Sequence, residues 1–509
     1  MTTLGTQTVR PPAARPARSR WAAARAVLRR STAARAASLG LVGGLIGWAG
    51  SGVPSYWGDE AASIMSAERS LPGLFAMAAH VDAVHTTYYA LLHVWIRLVG
   101  TSELATRTPS AVAVAFLVAG VVVLGERLGG IRLGVAAGIA AVALPRITYL
   151  ATDARSYAFA AAAAVWIAVL VVRLLRGRHR RRAWVLLGVA IGATAWMFLY
   201  AVLLVLVVGV MVLVLRRDLI RSWLWAGAAA VVVASPIALL AMSERHQIAF
   251  LAHRSVVSVG GVLVTQWFLK PWPAVVGWAI ILAGVVLSLR RRRGRRAVLL
   301  GLTWMALPTA ILLLADPVVP VYTTRYLSFA APAVALLIGL GAVRIAESVR
   351  GRELRLAAGA AVLGIAAGVS APVYLAQRGP YGQSEGADFE QAAEAAGDLG
   401  HRGDAVIFDE GTKPSIDPRL AYRLFPQRFT GLRDVELVTP FDRRTQLWDV
   451  VRPLDQALPD LGREVIAIEN TAGHGLPPDI ERLVGAGYRV DAVQRLHIDS
   501  VYRLTRPGA

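Results

Sequence analysis

The residues best suited to chemistry fall in two neighbouring stretches, Trp57-Gly58-Asp59-Glu60 and His80-Val81-Asp82-Ala83-Val84-His85-Thr86-Thr87-Tyr88-Tyr89. Adjacent carboxylates, two histidines and a third carboxylate can move protons, hold a polar substrate or share a metal ion. Their spacing is too loose to assign a metal, so the metal stays unknown and a divalent ion stays open. The pair of stretches starts just after the first long apolar run and ends before the second, at the edge of a membrane. Ionisable groups there are costly unless water, a partner or a substrate solvates them. Asp59 reads equally well as a general base and as a solvated acid that caps a helix from residue 60. Glu60 reads as a residue that orients Asp59 or pairs with a cation, and Asp82 as the second-choice acid.

Three cations in later loops could meet these acids. Arg155 lies in Asp153-Ala154-Arg155-Ser156-Tyr157, Arg325 precedes Tyr326 after a short Asp316–Thr324 loop, and Lys270 sits among aromatics in Trp267-Phe268-Leu269-Lys270-Pro271-Trp272. The bland alternatives are lipid-headgroup snorkelling or a local ion pair such as Asp153 with Arg155. Tyr88, Tyr89 and Tyr157 read as interfacial anchors.

The elements that must position these residues are membrane spans. The chain has 509 residues, is 56% hydrophobic and carries a net charge of +21, with a mean hydropathy of +0.52. Apolar runs long enough to cross a ~30 Å hydrocarbon core recur through residue 375. The expected class is a polytopic α-helical membrane protein, since a barrel would show short alternating segments. Most arginines lie in short loops between apolar runs, which the positive-inside rule explains. No aromatic-interleaved basic patch accompanies them, which argues against nucleic acid as a partner. With no cysteine, disulfides, thiolate metal sites and a Cys nucleophile are excluded.

Residues 1–35 read as a disordered, basic cytoplasmic tail. Spans are expected near 36–54, 109–126 (opened by Pro109), 133–149, 157–172, two within 183–215 turning near Trp196–Tyr200, 223–242, 273–289, 297–315, 327–343 and 356–375. The first loop, 55–107, should carry interfacial helices over 60–79 and 86–99. This eleven-span reading puts the N-terminus inside, every dense arginine cluster in the cytoplasm, and the Asp59, Asp153 and Arg325 loops on one external face. Residues 376–509 have short β-like runs at 405–408, 465–468 and 500–504 and helical stretches at 388–399 and 479–486. They are expected to form a small extracytoplasmic α/β domain. No GxGxxG or Walker motif is present.

Four segments in order, Gly58-Asp59-Glu60-Ala61, Asp82 to His85 running on to Tyr88–His93, Asp153-Ala154-Arg155-Ser156-Tyr157 and Arg325-Tyr326-Leu327, resemble those of GT-C glycosyltransferases. The branch is the bacterial one that includes protein mannosyltransferases and lipid A aminoarabinose transferases. The resemblance covers residues 36–375 and implies sugar transfer, with inversion, from a polyprenyl-phosphate donor to a hydroxyl of a glycan, glycolipid or protein acceptor. On this resemblance Asp59 is the base, with Glu60 and Asp82 beside it. His80, His85, Tyr88, Tyr89, Asp153, Tyr157 and Tyr326 become substrate-site candidates. Arg155, Arg325 and Lys270 become candidates for the departing phosphate, to which an arginine fork is suited. Mannose is the expected sugar, with a pentose such as arabinose as the alternative, and the setting is a bacterial plasma membrane. A transporter or lipid flippase would instead show charge in mid-span and repeated halves, and a non-catalytic scaffold would tolerate loss of Asp59.

Overall fold

The computed structural model describes residues 31–177, 179–244, 257–470 and 475–507. Most of the basic tail, residues 1–30, lies outside the described residues. Seven helices are long and apolar enough to cross a membrane: Glu103–Gly129, Tyr157–Leu175, Arg217–Ser243, Pro271–Arg290, Arg295–Ala315, Thr324–Ala346 and Arg352–Ala376. Shorter apolar helices, among them Thr32–Trp48, Ile131–Ala143, Arg181–Met197 and Leu204–Leu215, pack with them. The fold is therefore a polytopic helical membrane fold with a small sheet domain at the C-terminal end of the chain.

Several boundaries differ from the sequence reading for identifiable reasons. The first helix starts at Thr32, not Ala36. The Ser31 hydroxyl accepts from the Ala34 amide, and Arg35, assigned to the tail, donates to Glu126 at 2.5 Å within the bundle. Pro109 does not open its helix. The helix begins at Glu103, capped by Ser102, and Pro109 lies inside it. A proline has no N–H to offer the carbonyl four residues back. That carbonyl, of Ala105, accepts instead from the Trp95 indole at 2.7 Å, which fastens the loop helix Thr86–Val99 to the span. The third run is broken at Leu144, where Pro145 starts a new short helix to Leu150. The 183–215 run does split, into Arg181–Met197 and Leu204–Leu215, with extended backbone at Phe198 between them. Close packing of the bundle uses small residues. A methyl group on Gly40 would stand 2.7 Å from the Ala115 carbonyl oxygen.

The first loop folds into three helices, Gly58–Glu68, Leu71–Ala78 and Thr86–Val99. Behind the eleventh predicted run comes a five-stranded sheet in the order β2-β1-β5-β7-β6, where β1 is Ala405–Phe408, β2 Arg433–Asp434, β5 Glu464–Asn470, β6 Arg489–Arg495 and β7 Asp499–Thr505. β1 runs parallel to β2 and β5, and β7 runs antiparallel to β5 and β6. The runs read at 405–408, 465–468 and 500–504 are β1 and parts of β5 and β7. β6 escaped the sequence reading because it is a charged edge strand with little apolar alternation. A two-stranded ribbon, β3 (Leu437–Thr439) with β4 (Val450–Val451), stands beside the sheet.

The small domain and the first loop share one core. Tyr56, Trp57, Ile64, Met65, Tyr88 and Leu92 from the loop are buried in the same cluster as Phe389, Val406, Phe408, Leu420, Phe425 and Ile466. Arg69, almost fully buried, donates to the carbonyls of Arg444 and Gln446 at 2.6 Å each. The approach is closest at Gly58, where a Cβ would lie 2.2 Å from the Ser415 carbonyl oxygen.

Candidate active site

Where the first loop, the bundle end and the small domain meet, they enclose a cavity of about 1300 Å³. Its polar wall includes Asp59, Asp82, His85, Arg155 and Arg325. An apolar wall is made by Ala238, Ala241, Met242, Val319 and Val321, and the small domain adds Lys413, Ser415, Arg444, Trp448 and Asp449.

Asp59 and Glu60 are adjacent in sequence and opposite in role. Both lie in the first turn of the helix Gly58–Glu68, where carboxylates suit the helix dipole. Asp59 faces the cavity, its side chain 22% exposed, with one Arg325 nitrogen at 3.0 Å and one Arg155 nitrogen at 3.9 Å from Oδ2. Glu60 turns into the protein with no exposure. Arg107 grips it through Nε and Nη2, at 2.8 and 2.6 Å, and the Ala154 amide donates to it at 2.7 Å. The same guanidinium donates to the carbonyls of Ser51, Pro54 and Ser55. Glu60 therefore pairs with a cation, and Arg107 ties the loop's start, its first helix and the Asp153 segment into one unit. Arg107 was not singled out from sequence, because an arginine just before an apolar run looks like an ordinary flank of a span.

Arg155 is the hub of the site. One of its nitrogens donates to the Asp59 carbonyl (3.0 Å), the Ser63 hydroxyl (3.1 Å) and the Tyr89 phenol oxygen (3.2 Å), and the other donates to His85 Nε2 at 2.9 Å. His85 thus acts as an acceptor. Burial and then the Arg155 charge push its pKa well below the usual histidine range, so the ring is neutral. Asp82 sits in a left-handed backbone conformation, φ 60°, and its carboxylate accepts from the Tyr89 hydroxyl. Burial raises the Asp82 carboxyl, opposed by the Arg155 charge. The Ala83 amide next to it donates to Glu244 at 3.0 Å, which ties this turn to the end of the helix Ile220–Ser243. Arg325 lies over the Trp57 ring, 4.9 Å from its centroid, a cation–π arrangement that holds the guanidinium at the wall. Tyr326 lines the cavity and packs against Phe198 and Tyr200.

Other sequence candidates stand behind the wall or away from it. Asp153 is buried, accepts from the Trp57 indole at 3.3 Å and does not line the cavity. Burial first and the Glu60 charge second push its carboxyl up to about 7. Tyr88, Tyr89 and Tyr157 are buried in protein, not anchored at an interface. Tyr88 packs edge-on against Tyr89 and Phe159, and Tyr157 against Phe198. His80 is exposed just beyond the helix Leu71–Ala78, with Nδ1 bonded to the Ala76 carbonyl at 2.9 Å, and is not part of the cavity. Lys270 is likewise exposed and outside the cavity. Buried Trp267 and Phe268 fix its loop at the start of the helix Pro271–Arg290.

Among the described residues, the two clusters with metal-competent geometry lie in the small domain, not at this cavity. The residues the sequence reading did not assign to the site, Arg107, Glu244 and the wall from Lys413 to Asp449, share one feature. Their partners are tens to hundreds of positions away, so no local pattern marks them.

Neither a family model nor a curated protein matches the chain. Solved structures do. ArnT from Cupriavidus metallidurans bound to undecaprenyl phosphate aligns with a TM-score of 0.56 at 14% identity, over 91% of this chain and 97% of that one. The same protein in its apo state aligns at 0.55 and 14%, over 92% and 97%. The apo oligosaccharyltransferase of Archaeoglobus fulgidus aligns more loosely, at 0.46 and 9%, over 84% of this chain and 69% of that one. The chain therefore shares its fold with the ArnT structure over nearly the whole length of both.

Proposed function

We propose that the protein is a membrane glycosyltransferase that moves a sugar from a polyprenyl-phosphate donor to an acceptor hydroxyl, with Asp59 as the base. The observation that carries this reading is the placement of Asp59 beside Arg325 and Arg155 on the wall of a cavity that also has a long apolar side. The likeness to a structure that binds undecaprenyl phosphate supports the donor class.

The geometry suits a single displacement. The acceptor oxygen attacks the anomeric carbon and its proton passes to Asp59. The bond from that carbon to the phosphate oxygen breaks, and its electron pair leaves with the lipid phosphate. One displacement inverts the configuration. Arg325 and Arg155 offer the charge that the departing phosphate needs, and both are fixed before substrate arrives, Arg325 on Trp57 and Arg155 by His85, Ser63 and Tyr89. Phosphate binding would draw Arg325 from Asp59 and leave that carboxylate more basic when the acceptor is in place. His85 and Tyr89 act as positioning residues for Arg155. The apolar residues Ala238, Ala241, Met242, Val319 and Val321 give the isoprenoid a path, while Lys413, Arg444, Trp448 and Asp449 give a polar glycan a surface. We assign mannose as the sugar and place the cavity on the external face, in line with the arginine distribution.

The test is to incubate purified protein with several polyprenyl-phosphate sugars and follow donor loss and product by mass spectrometry. Asp59→Asn keeps the shape and removes the base, so transfer should fall roughly 10²–10⁴-fold while donor still binds. Transfer by Asp59→Asn at the wild-type rate would remove Asp59 from the mechanism. Loss in Asp82→Asn alone would move the base to the Asp82–His85 turn.

A further inference from the structure

At the C-terminal ends of two inner strands of the small domain's sheet, three carboxylates converge from separate segments. β1 and β5 end side by side, and the Asp409 amide donates to the Ile468 carbonyl at 3.0 Å. This sets Asp409, the first residue after β1, beside Glu469, the next-to-last residue of β5. Asp479 joins them from the first turn of the helix Pro478–Gly485. Their carboxylate oxygens lie within 4.8 Å of one another.

Glu469 is the member that needs explaining. Its side chain has no exposure, and neither of its oxygens has a hydrogen-bond partner. A carboxylate buried without partners is destabilising unless a proton or a cation neutralises it. Among the described residues no ion pair reaches Asp409 or Glu469. Asp409 Oδ1 accepts from the Gly411 amide, and Asp479 Oδ1 from Arg482, whose side chain is half exposed. Each aspartate keeps a second oxygen beyond these bonds. What the cluster lacks is positive charge at its centre.

We infer that Asp409, Glu469 and Asp479 bind a hard divalent cation such as Ca²⁺, Mg²⁺ or Mn²⁺. An all-carboxylate donor set with no nitrogen or sulfur selects that class. The carboxyl ends of parallel strands are also where open α/β sheets hold ligands. The site is separate from the catalytic cavity but joined to it by one short segment. Asp409 opens the stretch whose Lys413, Pro414 and Ser415 line that cavity and whose Ser415 packs on Gly58. A cation would pin the root of this stretch to the sheet and so steady the wall beside Asp59.

The experiment uses the full chain in detergent, stripped with a chelator and titrated calorimetrically with CaCl₂, MgCl₂ and MnCl₂ in turn. Hydrogen exchange of the 409–417 peptide is followed with and without the ion. We expect one equivalent of at least one ion to bind and exchange in 409–417 to slow. Glu469→Gln and Asp479→Asn should each weaken binding tenfold or more. Should Glu469→Gln fail to fold, the partly exposed Asp479→Asn carries the test. No binding at millimolar ion, or binding unchanged in Asp479→Asn, overturns the inference and leaves Glu469 as a buried protonated acid. Binding lost in Asp59→Asn but kept in Asp479→Asn also overturns it, by placing the ion in the catalytic cavity.

Discussion

Asp59 and Glu60 differ by one methylene and one position, and the helix that starts at Gly58 sends them into different surroundings. One meets a cavity and two arginines, the other a sealed pocket and Arg107. Their substitutions should therefore fail differently. Glu60→Gln strands the Arg107 charge in the interior, and breaking a buried pair costs about 3–5 kcal/mol. We expect a clear drop in thermal stability and expression, where Asp59→Asn loses activity with little change in melting. A Glu60→Gln variant that melts like wild type but cannot transfer sugar would move Glu60 into the chemistry. Asp153 gives a pH signature. Its folded carboxyl stands near 7, while in an unfolded chain it would be about 3.9. Between these values the folded state holds a proton that the unfolded state has released, so stability falls as pH rises from about 4 to 7 and levels off above. Asp153→Asn should flatten that decline, as read from melting temperatures at pH 5, 6.5 and 8. An unchanged slope would show that other groups carry it.

At the scale of elements, the site depends on how tightly the helix Gly58–Glu68 meets the stretch 413–415. Gly58 has no side chain to separate them, and any Cβ would collide with backbone, which cannot swing aside as a flexible side chain can. Gly58→Ala should push the small domain off the first loop, at a cost of about 1–3 kcal/mol for overpacking. Because Asp59 follows directly, activity should fall more than stability. Limited proteolysis should show earlier cleavage in 409–417. Wild-type activity and cleavage in this variant would mean that the contact does not set the cavity. Pro109 shows the opposite use of an irregularity, where a missing donor frees the Ala105 carbonyl for Trp95 and so joins loop to span.

Across the whole molecule, catalysis as we read it needs both bodies. The bundle end supplies Arg155, Arg325 and the apolar wall, and the small domain closes the cavity over a core it shares with the first loop. On the positive-inside rule residue 180 is expected in the cytoplasm and residue 380 outside. The chain has no cysteine of its own, so Arg180→Cys and Pro380→Cys can be labelled cleanly, and both positions are exposed. A membrane-impermeant thiol reagent added to whole cells should label position 380 and spare position 180. Labelling of both from one side would reverse the topology and move the cavity to the other face.

The helical membrane class, the positions of most apolar runs, the break inside 183–215 and the three inner strands of the small domain were legible in the sequence. Those features follow from hydrophobic run length, charge placement and β-branched runs, which are local. The sequence also marked Asp59, Arg155 and Arg325, because they lie in the ordered segments that carry the family resemblance. Tertiary structure decided which acid faces the cavity, since two neighbours on a helix turn point about 100° apart and only the packing tells which side is open. It withdrew His80 and Lys270 to the exterior and placed Asp153, Tyr88 and Tyr157 behind the wall. It brought in Arg107 from outside the motifs and Lys413 to Asp449 from the far end of the chain. Their proximity rests on a core assembled from residues more than three hundred positions apart, and no periodicity records a contact of that range.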